Sequence, residues 1–137
     1  MKYLAVILFS IFSLSVFSQV NQSGVPDSRL FEKYSVEYLN LLKPDAIDYM
    51  NFELDNGYEI ITLKLEKAQQ FPKLRYYDSQ NKQVGDFVTN IDESNVNIML
   101  YDYERYYDKP KIYQIGDTEK IISFKSLREL NDKFNEN

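Results

Sequence analysis

Two apolar segments separated by four residues near the C-terminus restrict the fold more than any other feature. Residues 112–115 and 120–124 flank the connection Gly116-Asp117-Thr118-Glu119. A connection this short permits only antiparallel pairing of the strands that it joins. The sequence therefore predicts a β-hairpin here, and the rest of the chain must bury its apolar side chains.

A third strand is predicted directly before this hairpin. Within residues 95–101 the side chains alternate, with Val96, Ile98 and Leu100 in one set and Asn97, Met99 and Tyr101 in the other. A period of two is typical of a strand with one face on a core. The stretch 95–124 thus reads as three strands at the centre of a sheet.

The residues before this stretch predict two helices. Apolar residues at spacings of three and four form the stripe of an amphipathic helix: Phe31, Tyr34, Tyr38, Leu41 and Leu42. Pro44 suits a first helical turn, so it opens a second helix over residues 45–55, with Ile47, Met50, Phe52 and Leu54 buried. Asn56-Gly57 predicts a left-handed stop.

Further strands and a closing helix complete the pattern. Residues 58–65 predict a strand with Ile61, Leu63 and Leu65 on one face, and residues 74–77 and 83–88 predict a hairpin around 78–82. Ser126 and Glu129 form a capping box for a terminal helix, whose apolar side carries Leu127, Leu130 and Phe134.

The predicted fold class is α+β. A mainly antiparallel sheet of five or six strands is expected, with the two N-terminal helices and the C-terminal helix packed on one face. Residues 29–137 form a single domain, since a chain of this length supports one core. No repeat or interdomain linker is visible.

Residues 1–18 have the pattern of a signal peptide. Lys2 precedes an apolar and serine-containing run, and Val16 and Ser18 occupy the small-residue positions of a cleavage site before Gln19. The run is shorter than the roughly 20 apolar residues of a membrane span. We therefore expect export to the periplasm, the outer membrane or the extracellular side, with no transmembrane segment after cleavage and a flexible leader over 19–28.

Composition excludes several partners and chemistries. A net charge of −5 without clustered cations argues against nucleic acid and anionic lipid. The chain contains neither cysteine nor histidine, which excludes disulfides, a lipid anchor on cysteine, histidine-dependent triads and the usual zinc and copper ligand sets. We predict no cofactor.

Three weaker patterns contain residue types that can serve in catalysis or metal binding. Ser79 and Lys82 have the spacing of a serine–lysine nucleophile pair, but they lie in a polar turn. Asp102, Glu104 and Asp108 offer hard oxygens for Ca²⁺, but neighbouring cations favour ordinary surface pairing. A glycosidase-like carboxylate pair would be an arbitrary choice among so many acids. We predict no catalytic, cofactor-binding or metal-ligating residue.

A tyrosine cluster is the strongest candidate for an interaction surface. It comprises Tyr101, Tyr103, Tyr106, Tyr107 and Tyr113. Exposed tyrosines combine a large contact area with a polar tip, which suits protein partners and sugar rings alike. The alternative is that half or more of them cover the edge of the core.

The run ending in Phe17-Ser18-Gln19, the segment 33–61 and the hairpin 113–124 resemble those of small uncharacterised exported proteins of AT-rich Gram-negative bacteria. The resemblance implies a location in the cell envelope and no activity, cofactor or catalytic residue. The leading hypothesis is thus a non-enzymatic envelope protein that binds another envelope protein. The alternatives are a glycan or small-ligand binder that uses the tyrosines and, third, a carboxylate-based hydrolase.

Overall fold

The computed structural model describes residues 22–137, so the predicted signal peptide lies outside the described residues. The described part has an α+β architecture with two three-stranded antiparallel sheets and four α-helices. In chain order the elements are a 3₁₀ turn at Ser28–Glu32, α1 (Val36–Leu41), α2 (Pro44–Asn56), β1 (Tyr58–Thr62), α3 (Leu65–Ala68), β2 (Arg75–Asp78), β3 (Gln83–Phe87), a 3₁₀ turn at Ile98–Leu100, β4 (Tyr101–Asp102), β5 (Lys111–Gln114), β6 (Lys120–Phe124) and α4 (Leu127–Asn135).

The first sheet has the order β1-β6-β5 and contains the predicted C-terminal hairpin, which is confirmed. Gly116 in its turn has a φ of +58°, a region that favours glycine. A Cβ at this position would lie 2.8 Å from the carbonyl oxygen of Thr89. The turn therefore needs glycine both for its backbone conformation and for the close approach of the neighbouring segment.

The second sheet has the order β3-β2-β4, so the structure does not contain the predicted single sheet of five or six strands. Within residues 22–137 an isolated backbone bridge between Lys73 and Gln114 connects the two sheets. There the amide of Leu74 donates to the carbonyl of Gln114 at 2.9 Å, while the carbonyl of Leu74 accepts from Val88 at 3.0 Å. Because the chain passes from one sheet to the other within these residues, the pairing with β5 does not continue.

The predicted strand over residues 95–101 is wrong for most of its length. Val96, Asn97, Ile98 and Met99 are all buried in succession, so their alternation does not separate an inner from an outer face. The side-chain oxygen of Asn97 accepts the amide of Met99 at 3.2 Å. This local bond closes a 3₁₀ turn where the pattern predicted a strand, because asparagine competes with a sheet ladder for backbone amides.

The apolar stripe predicted for the first N-terminal helix also differs from the structure. The predicted first helix is divided into a 3₁₀ turn and the short α1, which begins at its own N-cap, Ser35. Leu30 and Leu39 are the buried residues of these two elements, whereas Phe31, Tyr38 and Leu41 are exposed. The break changes the helical phase, so only Tyr34 and Leu42 of the predicted stripe pack against the core, as partly buried residues.

The two longer helices lie close to their predicted positions. Pro44 starts α2, and the Ser126 hydroxyl accepts the amide of Glu129 at 3.2 Å at the start of α4. Gly57 ends α2 with a φ of −77°, so the predicted left-handed stop is wrong. The helices pack through Phe52 and Phe134, whose ring centroids are 5.2 Å apart.

β1 is shorter than predicted, and the described part of the leader makes contacts with α2. β1 ends at Thr62, and Leu65 begins α3 instead of ending the strand. In the leader, residues 22–28 are held on α2: the amide of Gly24 donates to Asp48 at 2.7 Å, and Asn51 donates to the carbonyl of Val25 at 2.7 Å. The described part of the leader is thus anchored by side chains that α2 presents.

One core joins both sheets and the helices. It includes residues from nearly every element, among them Leu30, Leu39, Ile47, Leu54, Leu74, Val88, Ile98, Tyr113, Ile122 and Phe124. Across residues 22–137, none of the helices has both the length and the apolar character that spanning a membrane requires.

Candidate functional site

Three of the five predicted interaction tyrosines pack into the protein interior. Tyr101 and Tyr113 are buried, and Tyr103 stacks on Phe124 with ring centroids 3.7 Å apart and planes 2° from parallel. The hydroxyl of Tyr113 accepts the amide of Glu104 at 3.1 Å. These rings stabilise the core and do not offer their faces to a sugar or a partner.

The remaining two tyrosines, Tyr106 and Tyr107, lie in the accessible loop between β4 and β5. We call residues 103–110 the tyrosine loop. Tyr107 is 61 % exposed, and its ring lies 5.0 Å from the guanidinium of Arg128. Tyr106 is half-buried and lies within 5.4 Å of the amino groups of Lys109 and Lys111. The carbonyls of Tyr106 and Tyr107 accept the first amides of α4, which fixes the loop against that helix. Only this part of the predicted cluster faces solvent.

A largely buried ion pair lies beneath the tyrosine loop. The guanidinium of Arg105 is 2.9 Å from Glu53, and the two side chains are 9 % and 16 % exposed. Arg105 also donates to the carbonyl of Lys125 at 2.6 Å and to the hydroxyl of Tyr103 at 3.2 Å. The pair joins α2, the tyrosine loop and the β6–α4 junction, so its role is to hold these elements together.

Burial of two tyrosines predicts a loss of stability in alkali. Desolvation raises the pKa of Tyr101 and of Tyr103 to about 12, from an ordinary value of about 10. The folded protein holds these protons more tightly than the unfolded chain, so the free energy of unfolding falls as the pH rises from about 10 towards 12. Urea unfolding over a pH series measures this decline. Tyr101→Phe should reduce it, and an equal decline in that variant would contradict the assignment.

The side chains of the weaker patterns for catalysis and metal binding are exposed or form pairs at the surface. Ser79 and Lys82 are both exposed, so nothing desolvates the lysine. Glu104 accepts the hydroxyl of Tyr106 at 2.8 Å and lies 3.7 Å from Lys111. Within residues 22–137 no group of three potential metal-ligating side chains converges.

An open groove of about 980 Å³ runs between the leader, α2 and the end of α4. Its carboxylates are engaged by the protein itself. The amide of Gly24 and the hydroxyl of Ser23 lower the pKa of Asp48, and the guanidinium of Arg29 lowers the pKa of Asp27. A carboxylic acid that acts as a general acid needs a raised pKa. Asp48 anchors the leader segment to α2, and Asp27 holds the guanidinium of Arg29.

The surface that sequence reasoning missed lies on the N-terminal elements. We call Phe31, Val36, Tyr38 and Leu41 the N-terminal apolar surface. Each is at least 46 % exposed, and Leu41 is 84 % exposed. The ring of Tyr38 stacks on Tyr34 with centroids 5.2 Å apart, which fixes its orientation. The apolar stripe in the sequence is compatible with a partner-binding pair of N-terminal helices, but packing on the sheet explains it adequately and is the predicted role.

No family model matches the chain, and no similar curated protein or solved structure was found. The functional reading consequently depends on the residues and contacts described above.

Proposed function

We propose that this protein is a non-enzymatic, exported component of the cell envelope that binds another envelope protein through its N-terminal apolar surface. The single observation that carries the proposal is the 84 % exposure of Leu41, next to exposed Tyr38 on the same short helix. Apolar area left in water is unfavourable by about 25 cal/mol per Å² relative to burial. A partner that covers these side chains recovers that free energy.

The composition of this surface suits a protein partner. Tyrosine and phenylalanine are enriched at protein interfaces, where their rings give large contact areas with few rotatable bonds. The stacked pair Tyr34 and Tyr38 is already ordered, so little side-chain entropy is lost on binding. The proposal of export is supported by the signal-like pattern of residues 1–18.

Leu41→Ser is expected to reduce the capture of the partner by about tenfold or more, the effect of losing one well-packed interface anchor. The measurement is cross-linking in intact cells that produce the tagged full chain, with fractionation to locate it and quantitative comparison of the captured proteins. Val84→Ser on β3 is the matched control, because it removes an exposed valine from a different surface.

Equal capture by the wild type, Leu41→Ser and Val84→Ser, with all three folded, would contradict this surface as the interface. Recovery of the tagged chain only from the cytoplasm, with its N-terminal residues intact, would contradict export. The two outcomes are independent of each other.

A further inference from the structure

The outer edge of the first sheet is a second surface with a defined chemistry. β1 is the end strand of that sheet, and within residues 22–137 its only strand partner is β6. The amide of Lys125 donates to the carbonyl of Gly57 at 2.9 Å, and the amide of Leu63 donates to the carbonyl of Glu119 at 2.8 Å. In an antiparallel pair the hydrogen-bonded positions alternate, so the odd-numbered residues of β1 face β6.

The even-numbered residues of β1 therefore turn their backbone groups away from the sheet. Tyr58, Ile60 and Thr62 each present an amide and a carbonyl along the free edge, and no other segment of residues 22–137 pairs with them as a strand. Such a row is a template for an added strand. β1 has no proline, no lysine and no bulge, three of the features that block edge pairing.

Space for an added strand exists beside this edge. An open hollow of about 400 Å³ is lined by Tyr58, Ile60 and Ile61 together with Asp55, Glu59 and Glu93. Ile61 is 41 % exposed on the outer face of the strand. An incoming strand would thus find apolar contacts as well as backbone partners.

The charges around the hollow favour a basic binding partner. Three of the six lining residues are acidic and none is basic. Arg29 pairs with Asp55, and Lys120 pairs with Glu93, whereas Glu59 forms no ion pair with any residue of the described part. A second copy of the chain would bring a second Glu59 without an ion-pair partner to the junction, and like charges on adjacent strands are destabilising. A basic segment would meet complementary charge.

We propose that the free edge of β1 binds an extended peptide segment rich in lysine or arginine, which adds to the first sheet as a fourth strand. Backbone hydrogen bonds to Tyr58, Ile60 and Thr62 would supply the affinity, and Glu59 would select basic side chains. This surface shares no residue with the N-terminal apolar surface, and its binding does not depend on the function proposed above.

The test uses the folded protein and the peptide Lys-Val-Lys-Val-Lys-Val with blocked ends. Titration followed by amide NMR should shift the resonances of Tyr58, Ile60 and Thr62, and calorimetry gives the affinity. The peptide Glu-Val-Glu-Val-Glu-Val should not bind. A fully N-methylated lysine peptide keeps its charge but has no backbone donors, so it should bind about tenfold more weakly or worse.

Two pairs of variants separate backbone pairing from charge. Thr62→Pro removes an edge donor, and Thr62→Ala keeps it; only the first should weaken binding of the lysine peptide. Glu59→Lys should weaken binding by about tenfold, as expected for reversing a charge at an interface. Asp86→Lys changes the net charge equally on the exposed β3 and should have little effect.

Equal affinity for the N-methylated peptide would overturn the proposal without requiring any variant to fold. Resonance shifts confined to other surfaces would do the same. Concentration-dependent protection of the same three amides in the protein alone would assign the edge to a second copy of the chain and would also overturn it.

Discussion

Replacing Arg105 by alanine is expected to lower the free energy of unfolding by about 3–5 kcal/mol, the usual result of removing one partner of a buried ion pair. The substitution leaves the carboxylate of Glu53, which is 16 % exposed, without its cation. It also leaves the carbonyls of Gly57 and Lys125 without the guanidinium that donates to them. The cost therefore includes the hydrogen bonds that Arg105 donates, although the Gly57 carbonyl keeps the amide of Lys125 and Glu53 keeps the hydroxyl of Tyr103.

Urea unfolding of the purified protein measures this loss. Arg128→Ala is the matched control, because Arg128 is exposed beside Tyr107 and surface substitutions usually change stability by no more than about 0.5 kcal/mol. A double variant with Glu53→Leu and Arg105→Met should recover much of the loss, since replacing a whole buried pair by apolar residues is often neutral. If Arg105→Ala were as mild as Arg128→Ala, the pair would not be buried in solution.

Phe124→Ala should be comparably severe, with an expected loss of about 3–5 kcal/mol, the range for removing a buried aromatic side chain. Phe124 is completely buried at the end of β6. One face of its ring stacks on Tyr103, and Tyr113 meets it edge-on with centroids 5.9 Å apart. Truncation would leave a cavity between two large rings that cannot collapse without moving the tyrosine loop and β5.

Phe31→Ala provides the comparison for Phe124→Ala, because it is the same chemical change at a side chain that is 46 % exposed. We expect a loss of about 1 kcal/mol or less at this surface position. Thermal or urea unfolding of both variants distinguishes the core from the N-terminal apolar surface. A larger loss for Phe31→Ala than for Phe124→Ala would show that the stripe is part of the core, as its spacing alone suggests.

Local sequence signals predicted the elements whose formation depends on neighbouring residues. Pro44 and Ser126 mark the starts of α2 and α4, because a first-turn proline and a capping hydroxyl act within one helical turn. The hairpin around Gly116 was predicted for the same reason, since the length of its turn fixes the pairing. These signals require no knowledge of distant residues.

The candidate surfaces were harder to predict. The five tyrosines all lie within residues 101–113, yet Tyr101 and Tyr113 are buried and Tyr107 is exposed. The aromatic side chains alone do not distinguish these positions, because tyrosine suits both a core edge and an interface. Ser35 caps the start of a new helix, so the helical periodicity of the N-terminal stripe does not continue across it.

The sequence by itself determined the α+β class, the two hairpins, the starts of the two longer helices and the lack of histidine and cysteine chemistry, since each depends on residue identity or on contacts within a few positions. Only the tertiary structure decided that the six strands divide into two sheets, that Arg105 and Glu53 meet in the interior, and which apolar side chains remain outside. Those outcomes depend on contacts between residues far apart in the chain, where the core has room for only some of the apolar side chains.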